Sequence, residues 1–159
     1  MRVLGIDPGF SFTGYAVVAQ EHNKTYLIDF GYLKLPQSRS LQERVAIFHD
    51  QLEHKIKSYQ ITHLAIETPF LGKNAQNFLK LGYLRGILYL LSHKNNLILS
   101  EFAPTQIKQS LTGFGGASKE QVARILFQLF PTLVKPDKYD ATDALAISLC
   151  GLWQRKQLF

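Results

Sequence analysis

Asp7, Glu67, Asp140 and Asp143 are four carboxylates placed where hydrophobic segments end or begin. Asp7 closes the apolar run Val3-Leu4-Gly5-Ile6, and Glu67 closes Leu64-Ala65-Ile66, so each stands where a strand pattern emerges from a core. Asp140 and Asp143 are three residues apart at the start of an apolar helical pattern, a spacing that turns both side chains to one face. Four such groups brought together repel one another and raise each other's pKa values, a penalty that a shared cation removes. Oxygen ligands suit magnesium or manganese, and two ions about 3.5 to 4 Å apart can clamp the attacking and leaving oxygens of a phosphodiester displacement. The chemistry that follows is that of a metal-dependent nuclease. Taken singly, each acid has a plainer reading: a turn aspartate, a strand-end surface charge, and two partners of a helix N-terminus.

Elements able to hold such a cluster are legible along the chain. Strands are expected at about 2–7, 12–20 and 24–34, the last with Tyr26, Ile28, Phe30 and Tyr32 in alternation, as an antiparallel meander. A helix over about 41–59 places Leu41, Val45, Phe48, Leu52 and Ile56 on one face, followed by a strand at 62–67. A long helix from 74 or 75 to 93, a short strand at 97–101, and helices at 105–111, 118–130 and 139–153 complete the order. The result is an α/β sandwich around one mixed sheet. Pro131 and Pro136 bound a loop before the last helix, and no repeat, low-complexity tract or linker divides residues 1–159, so one domain is expected.

The 159 residues are 46% hydrophobic, enough for a substantial core. Eighteen Lys and Arg against twelve Asp and Glu give a formal charge of +6; placing four acids in one site leaves the remaining surface more basic still. A polyanionic partner such as nucleic acid is expected. The single Cys150 lies in an apolar helical pattern and reads as a small buried hydrophobe; it excludes an internal disulfide. Met1-Arg2 leads directly into the first strand pattern, so no signal peptide is expected, and the apolar segment Phe78 to Ser92 is interrupted by Lys80 and Arg85. A cytoplasmic, non-membrane protein is expected.

Taken together, Leu4-Gly5-Ile6-Asp7-Pro8-Gly9, Thr13-Gly14-Tyr15, Ala65-Ile66-Glu67 and Asp140-Ala141-Thr142-Asp143 resemble the RuvC family of Holliday-junction resolvases. Lys73-Asn74-Ala75, Leu79-Lys80-Leu81-Gly82, Arg85-Gly86, Ala103-Pro104 and Lys119-Glu120-Gln121-Val122 extend the likeness over essentially the whole chain. The resemblance implies an RNase H-like fold with a central mixed five-stranded sheet. It implies a homodimer that makes paired nicks in four-way DNA junctions during recombination and repair, leaving 5′-phosphate and 3′-hydroxyl ends. It further implies that the four acids bind Mg2+, two ions per site with Mn2+ able to substitute, and that a branch-migration motor of the RuvAB type is a partner. Some family members carry histidine at the position of Asp140; here the quartet is wholly acidic, and His63 and the other histidines receive no catalytic role.

Phe70, just after Glu67, is a candidate to stack on an unpaired base, with a core aromatic as the plainer alternative. Lys108 and Lys119 flank a glycine-rich loop, Thr112 to Ala117, where phosphate contacts are reasonable, and the resemblance places DNA-binding residues at both positions. Lys73, Lys80, Arg85 and Arg124 are weaker candidates, since helical cations commonly form a wet face. Phe114 is a loop anchor or a second stacking group. Gly82 and Gly86 each cost about 1 kcal/mol inside a helix relative to alanine, which close packing against the protein's own sheet or a second protomer offsets.

Other readings fail or compete. Gly5 to Gly14 lacks G-x-G-x-x-G, and Leu71-Gly72-Lys73-Asn74 lacks the Ser or Thr of a Walker A loop. Actin-like ATPases share a first loop like Gly-Ile-Asp-Pro-Gly but need two related domains. An RNase H-like nuclease for another branched or hybrid substrate differs in which nucleic acid it cuts. A non-catalytic junction-binding module would bind equally well in chelator and leave the strands intact.

Overall fold

The computed structural model describes residues 1–69, 75–131, 133 and 139–153, with the side chains of Tyr139 and Asp140 left undescribed. Its element order is β1 (Arg2–Asp7), β2 (Phe12–Glu21), β3 (Lys24–Lys34), α1 (Leu41–Ser58), β4 (His63–Glu67), α2 (Ala75–Lys94), β5 (Ile98–Phe102), α3 (Pro104–Thr112), α4 (Lys119–Leu129) and α5 (Tyr139–Trp153). The five strands form one sheet in the order β3-β2-β1-β4-β5. The first three pair antiparallel as a meander, whereas β4 lies parallel to both β1 and β5. Each parallel neighbour follows a helical crossover, as parallel pairing requires.

Alternation along the central strands assigns each residue to a layer. Leu4, Ile6, Leu64 and Ile66 face α1 and α2, where they pack with Phe48, Leu52, Ile56, Leu84, Leu88 and Leu91. Val3 and Ala65 face the opposite layer, in which Ile107, Leu111, Val122 and Leu126 of α3 and α4 join the apolar side of α5. Leu41 departs from the expected face of α1: it is 44% exposed, because the first turn of the helix projects past the core that Phe48, Leu52 and Ile56 enter. That turn is held instead by a capping box, in which Ser40 Oγ accepts from the Glu43 amide and the Glu43 carboxylate accepts from the Ser40 amide. Cys150 is buried as expected. Among the described residues no helix is long and apolar enough to cross a membrane.

One polar cluster ties β3 to α1 far from the carboxylates. Asp29 accepts from Lys55 Nζ at 2.9 Å, from the Tyr59 hydroxyl at 2.9 Å and from the Tyr15 hydroxyl at 3.3 Å. Burial alone pushes the Asp29 carboxyl up, but these bonds and the Lys55 charge outweigh it, so its pKa falls below the ordinary 3.8. A depressed carboxyl contributes stability that is complete above its unfolded value and is lost as pH falls through the folded one. Asp29→Asn is therefore expected to cost about 2 kcal/mol at neutral pH, the scale of hydrogen bonds to a charged group. In urea melts the gap between variant and parent should narrow only as pH falls below the ordinary 3.8 and close as it passes through the lowered folded pKa, where Asp29 becomes protonated.

Candidate active site

The strand alternation that builds the core also aims the acids. Asp7 continues the Val3, Gly5 row of β1, and Glu67 continues the Ala65 row of β4, so both belong to the layer that α5 covers. The last pair of the β1–β4 ladder is Ile6↔Ile66, which leaves Asp7 and Glu67 side by side, one residue beyond it. The bare Cα of Gly5 brings α5 onto these strands. A Cβ there would stand 2.4 Å from the carbonyl oxygen of Ala144 and 2.6 Å from Ser148 Cβ. Gly151 permits the same approach further along α5, where a Cβ would meet that of Ala65 at 2.9 Å. Seated this closely, α5 carries Asp143 from near its N-terminal end to the Glu67 end of β4.

Glu67 is shared by two adjoining cavities. One, of about 380 Å³, is lined by Asp7, Glu67, Thr68, Phe78, Arg85 and Tyr89 among others. The second, of about 230 Å³, joins Glu67 and Asp143 to Lys108 and Lys119 over an apolar floor of Ile107, Val122 and Ile147. Burial raises the Glu67 carboxyl above its ordinary pKa of 4.5; the Asp143 charge adds to this, and Lys119 and Lys108 oppose it. Lys119 Nζ donates to Asp143 Oδ2 at 2.8 Å while most of the lysine side chain stays in solvent.

Among the described residues no three acid, histidine or cysteine side chains close into a cation cage. The donor set nevertheless fits a hard cation. Glu67 is desolvated beside a second carboxylate, and the Lys119 ammonium already stands as positive charge on Asp143. Asp140 lies one turn before Asp143 in α5, its side chain outside the described residues.

Of the expected DNA contacts, Lys108 and Lys119 lie beside the carboxylates. Lys80 is exposed on α2 with its ammonium 5.9 Å from the Phe10 ring centre, and Arg124 is exposed on α4. Phe114 is 66% exposed, free of the core. Phe70 and Lys73 lie outside the described residues. Arg85 differs from expectation: only 8% of its side chain is exposed, and its guanidinium pairs with Glu101 at 2.7 Å. A cation so enclosed does not offer itself to a phosphate backbone. Glu101 and Tyr89, which hold Arg85, were not singled out from the sequence. The available signal was the phase of Arg85, which falls beside Leu84 and Leu88 on the buried face of α2.

Three antiparallel strands continued by two parallel ones, with carboxylates at the adjacent ends of β1 and β4, define a nuclease of the RNase H-like class. Residues 3–151 match the family model of crossover junction endodeoxyribonuclease RuvC. The RuvC of Pelodictyon phaeoclathratiforme is 41% identical over 152 residues, covering 96% of this chain and 80% of that one. The RuvC of Halothermothrix orenii is 35% identical over 150 residues, covering 94% and 91%. Thermus thermophilus RuvC in complex with Holliday junction substrate superposes with a TM-score of 0.91 at 27% identity, covering 99% of this chain and 96% of that one. The chain belongs to the RuvC family of crossover junction endodeoxyribonucleases. Its activity is hydrolytic cutting of DNA at four-way crossover junctions.

Proposed function

We propose that Asp7, Glu67, Asp140 and Asp143 form the catalytic site, holding two Mg2+ ions, with Mn2+ able to replace them. The observation that carries this reading is Glu67, half-buried at the end of β4 in a cavity shared with Asp143, Lys108 and Lys119. When bound, the ions supply Lewis-acid activation of water and stabilisation of the leaving 3′ oxygen. The chain's own residues do the rest. The carboxylates fix the cations on three rigid elements, β1, β4 and α5. Lys108 and Lys119 draw the scissile phosphate to them, and Lys119 exchanges Asp143 for phosphate as the substrate arrives. Phe70 stacks on an exposed base near the crossover, and Lys73 and Lys80 contact the flanking backbone. The products carry 5′-phosphate and 3′-hydroxyl ends.

The site of one protomer cuts one strand, so symmetric resolution requires two. The outer side of α2 supplies a surface for a homodimer: Leu79 is 57% exposed, Tyr83 41% and Leu90 46%. Gly82 and Gly86 lie on the same side, and a Cβ at either meets nothing within 4 Å. Packing on the protein's own sheet therefore does not account for these glycines, whereas close approach of a second α2 does. A branch-migration motor of the RuvAB type is the partner that family membership suggests, in the cytoplasm.

The test is a synthetic four-way junction incubated with the protein in Mg2+ or in EDTA, beside linear duplex and RNA–DNA hybrid of the same sequence. Paired, Mg2+-dependent nicks confined to the junction are the expected result. Equal binding with no cutting under Mg2+ or Mn2+ would overturn the catalytic reading. Preferential cutting of the hybrid would overturn the substrate.

A further inference from the structure

We propose that Arg85 is a positioning residue for Glu67, fixing the direction in which that carboxylate leaves β4; the inference rests on Glu67 being a cation ligand. The Thr68 amide donates to the carbonyl of Phe102 in β5 at 2.8 Å. Across a trans peptide the preceding carbonyl points the opposite way, so the Glu67 carbonyl faces the β1 side. The β1–β4 ladder has already ended at Ile6↔Ile66, and no strand is left there to pair it. Arg85 takes that place: its Nη1 donates to the Glu67 carbonyl oxygen at 2.6 Å. Without that bond the Glu67–Thr68 peptide is held from one side alone, by the Thr68 amide on Phe102, and the strand end that carries the Glu67 side chain is less firmly set.

The guanidinium is itself held at its other end. Nη2 donates to Glu101 Oε1 at 2.7 Å and to the Tyr89 hydroxyl at 3.0 Å. The Tyr89 hydroxyl donates in turn to the same Glu101 oxygen at 2.6 Å. Glu101 pairs with Ile66 across β4 and β5, so the brace joins α2, β4 and β5 one residue from the carboxylate. Such a brace needs a planar fork that reaches a carbonyl and a carboxylate together. A lysine ammonium, as a compact point charge, does not reproduce it. A buried cation that served only to balance Glu101 would need no bond to the main chain of Glu67.

The experiment measures Mn2+ binding by the loss of its free electron paramagnetic resonance signal in the full-length protein, together with four-way junction binding in EDTA. For Arg85→Lys, Mn2+ affinity should fall by about tenfold or more, as is usual when a group supporting a metal ligand is removed. The Mn2+ concentration for half-maximal nicking should rise in step, while junction affinity in EDTA stays that of the parent. Tyr89→Phe and Glu101→Gln leave the guanidinium in place and should weaken Mn2+ binding in the same sense but less; if Arg85→Lys does not fold, these two decide. Unchanged Mn2+ affinity in the folded variants overturns the proposal. So does a fall in junction affinity with Mn2+ binding intact, which would make Arg85 a phosphate contact. Glu67→Gln distinguishes the underlying reading: if it binds Mn2+ like the parent, Glu67 is no ligand and both fall.

Discussion

Glu67→Gln is expected to slow junction cleavage by roughly 10³-fold and, in chelator, to make the protein more stable. The amide keeps the shape of the side chain but removes the charge from the proposed cation ligand that shares one cavity with Asp7 and the other with Asp143. Metal-ion stabilisation of a transition state is worth several kcal/mol, and at about 1.4 kcal/mol per tenfold its loss corresponds to roughly a 10³-fold slower single-turnover nick. Asp7→Asn and Asp143→Asn should fall in the same range. The stability effect runs the other way because burial and the Asp143 charge raise the Glu67 pKa. A group whose folded pKa is raised contributes stability below its unfolded value, here the ordinary 4.5, and that contribution is lost as pH rises through the folded pKa. At neutral pH the ionised carboxylate is thus a net burden on the metal-free fold, and the neutral amide relieves it. For a chain of this size each kcal/mol moves Tm by about 2 to 4 °C. The comparison is a thermal melt of variant and parent in EDTA at neutral pH and below the Glu67 range, where the difference should vanish. A variant less stable than its parent at neutral pH would show that Glu67 is supported by contacts stronger than its desolvation. Retained cleavage would remove Glu67 from the catalytic site.

The second large effect is expected on the outer face of α2. Tyr83→Asp or Leu79→Asp should convert a dimer to monomers in light scattering and replace paired nicks by single, uncoordinated ones. Two-fold symmetry makes each substitution act twice. With about 2 kcal/mol for each large apolar side chain removed from a buried interface, the dimer weakens by about 4 kcal/mol, roughly 10³-fold in its dissociation constant. The glycines supply an independent check. In an isolated protomer Gly86→Ala meets no neighbour and gains about 1 kcal/mol of helix propensity. Across a close helix pair the same methyl weakens association. A more stable and still dimeric Gly86→Ala protein would place the interface elsewhere.

Most element boundaries were legible because the local signals agree with the global fold. β1 and β2 are continuous apolar runs and β3 alternates with period two, α1 opens on Ser40 and Glu43, and the strands and helices fall within a residue or two of their expected limits. The sheet's composition and the order of its antiparallel and parallel segments follow from those elements and the crossovers between them. Asp7, Glu67 and Asp143 were visible for the same reason: a carboxylate at the end of an apolar run has only a few places to go.

Local sequence therefore specified the list of elements, the layer each strand residue faces and the acids at the strand ends. Those properties are set by neighbours within a few residues. Packing in three dimensions was needed to make Glu67 the acid shared between two cavities, to rest Lys119 on Asp143, and to leave Gly82 and Gly86 facing open space. It was needed also to turn Arg85 inward to Glu101 and the Glu67 carbonyl. Arg85 and Glu101 are sixteen residues apart on different elements, and whether a cation meets solvent or a carboxylate depends on how those elements pack. A helical phase placed Arg85 beside Leu84 and Leu88; only the seating of α2 against β4 and β5 supplied the partner that makes burying its charge tolerable.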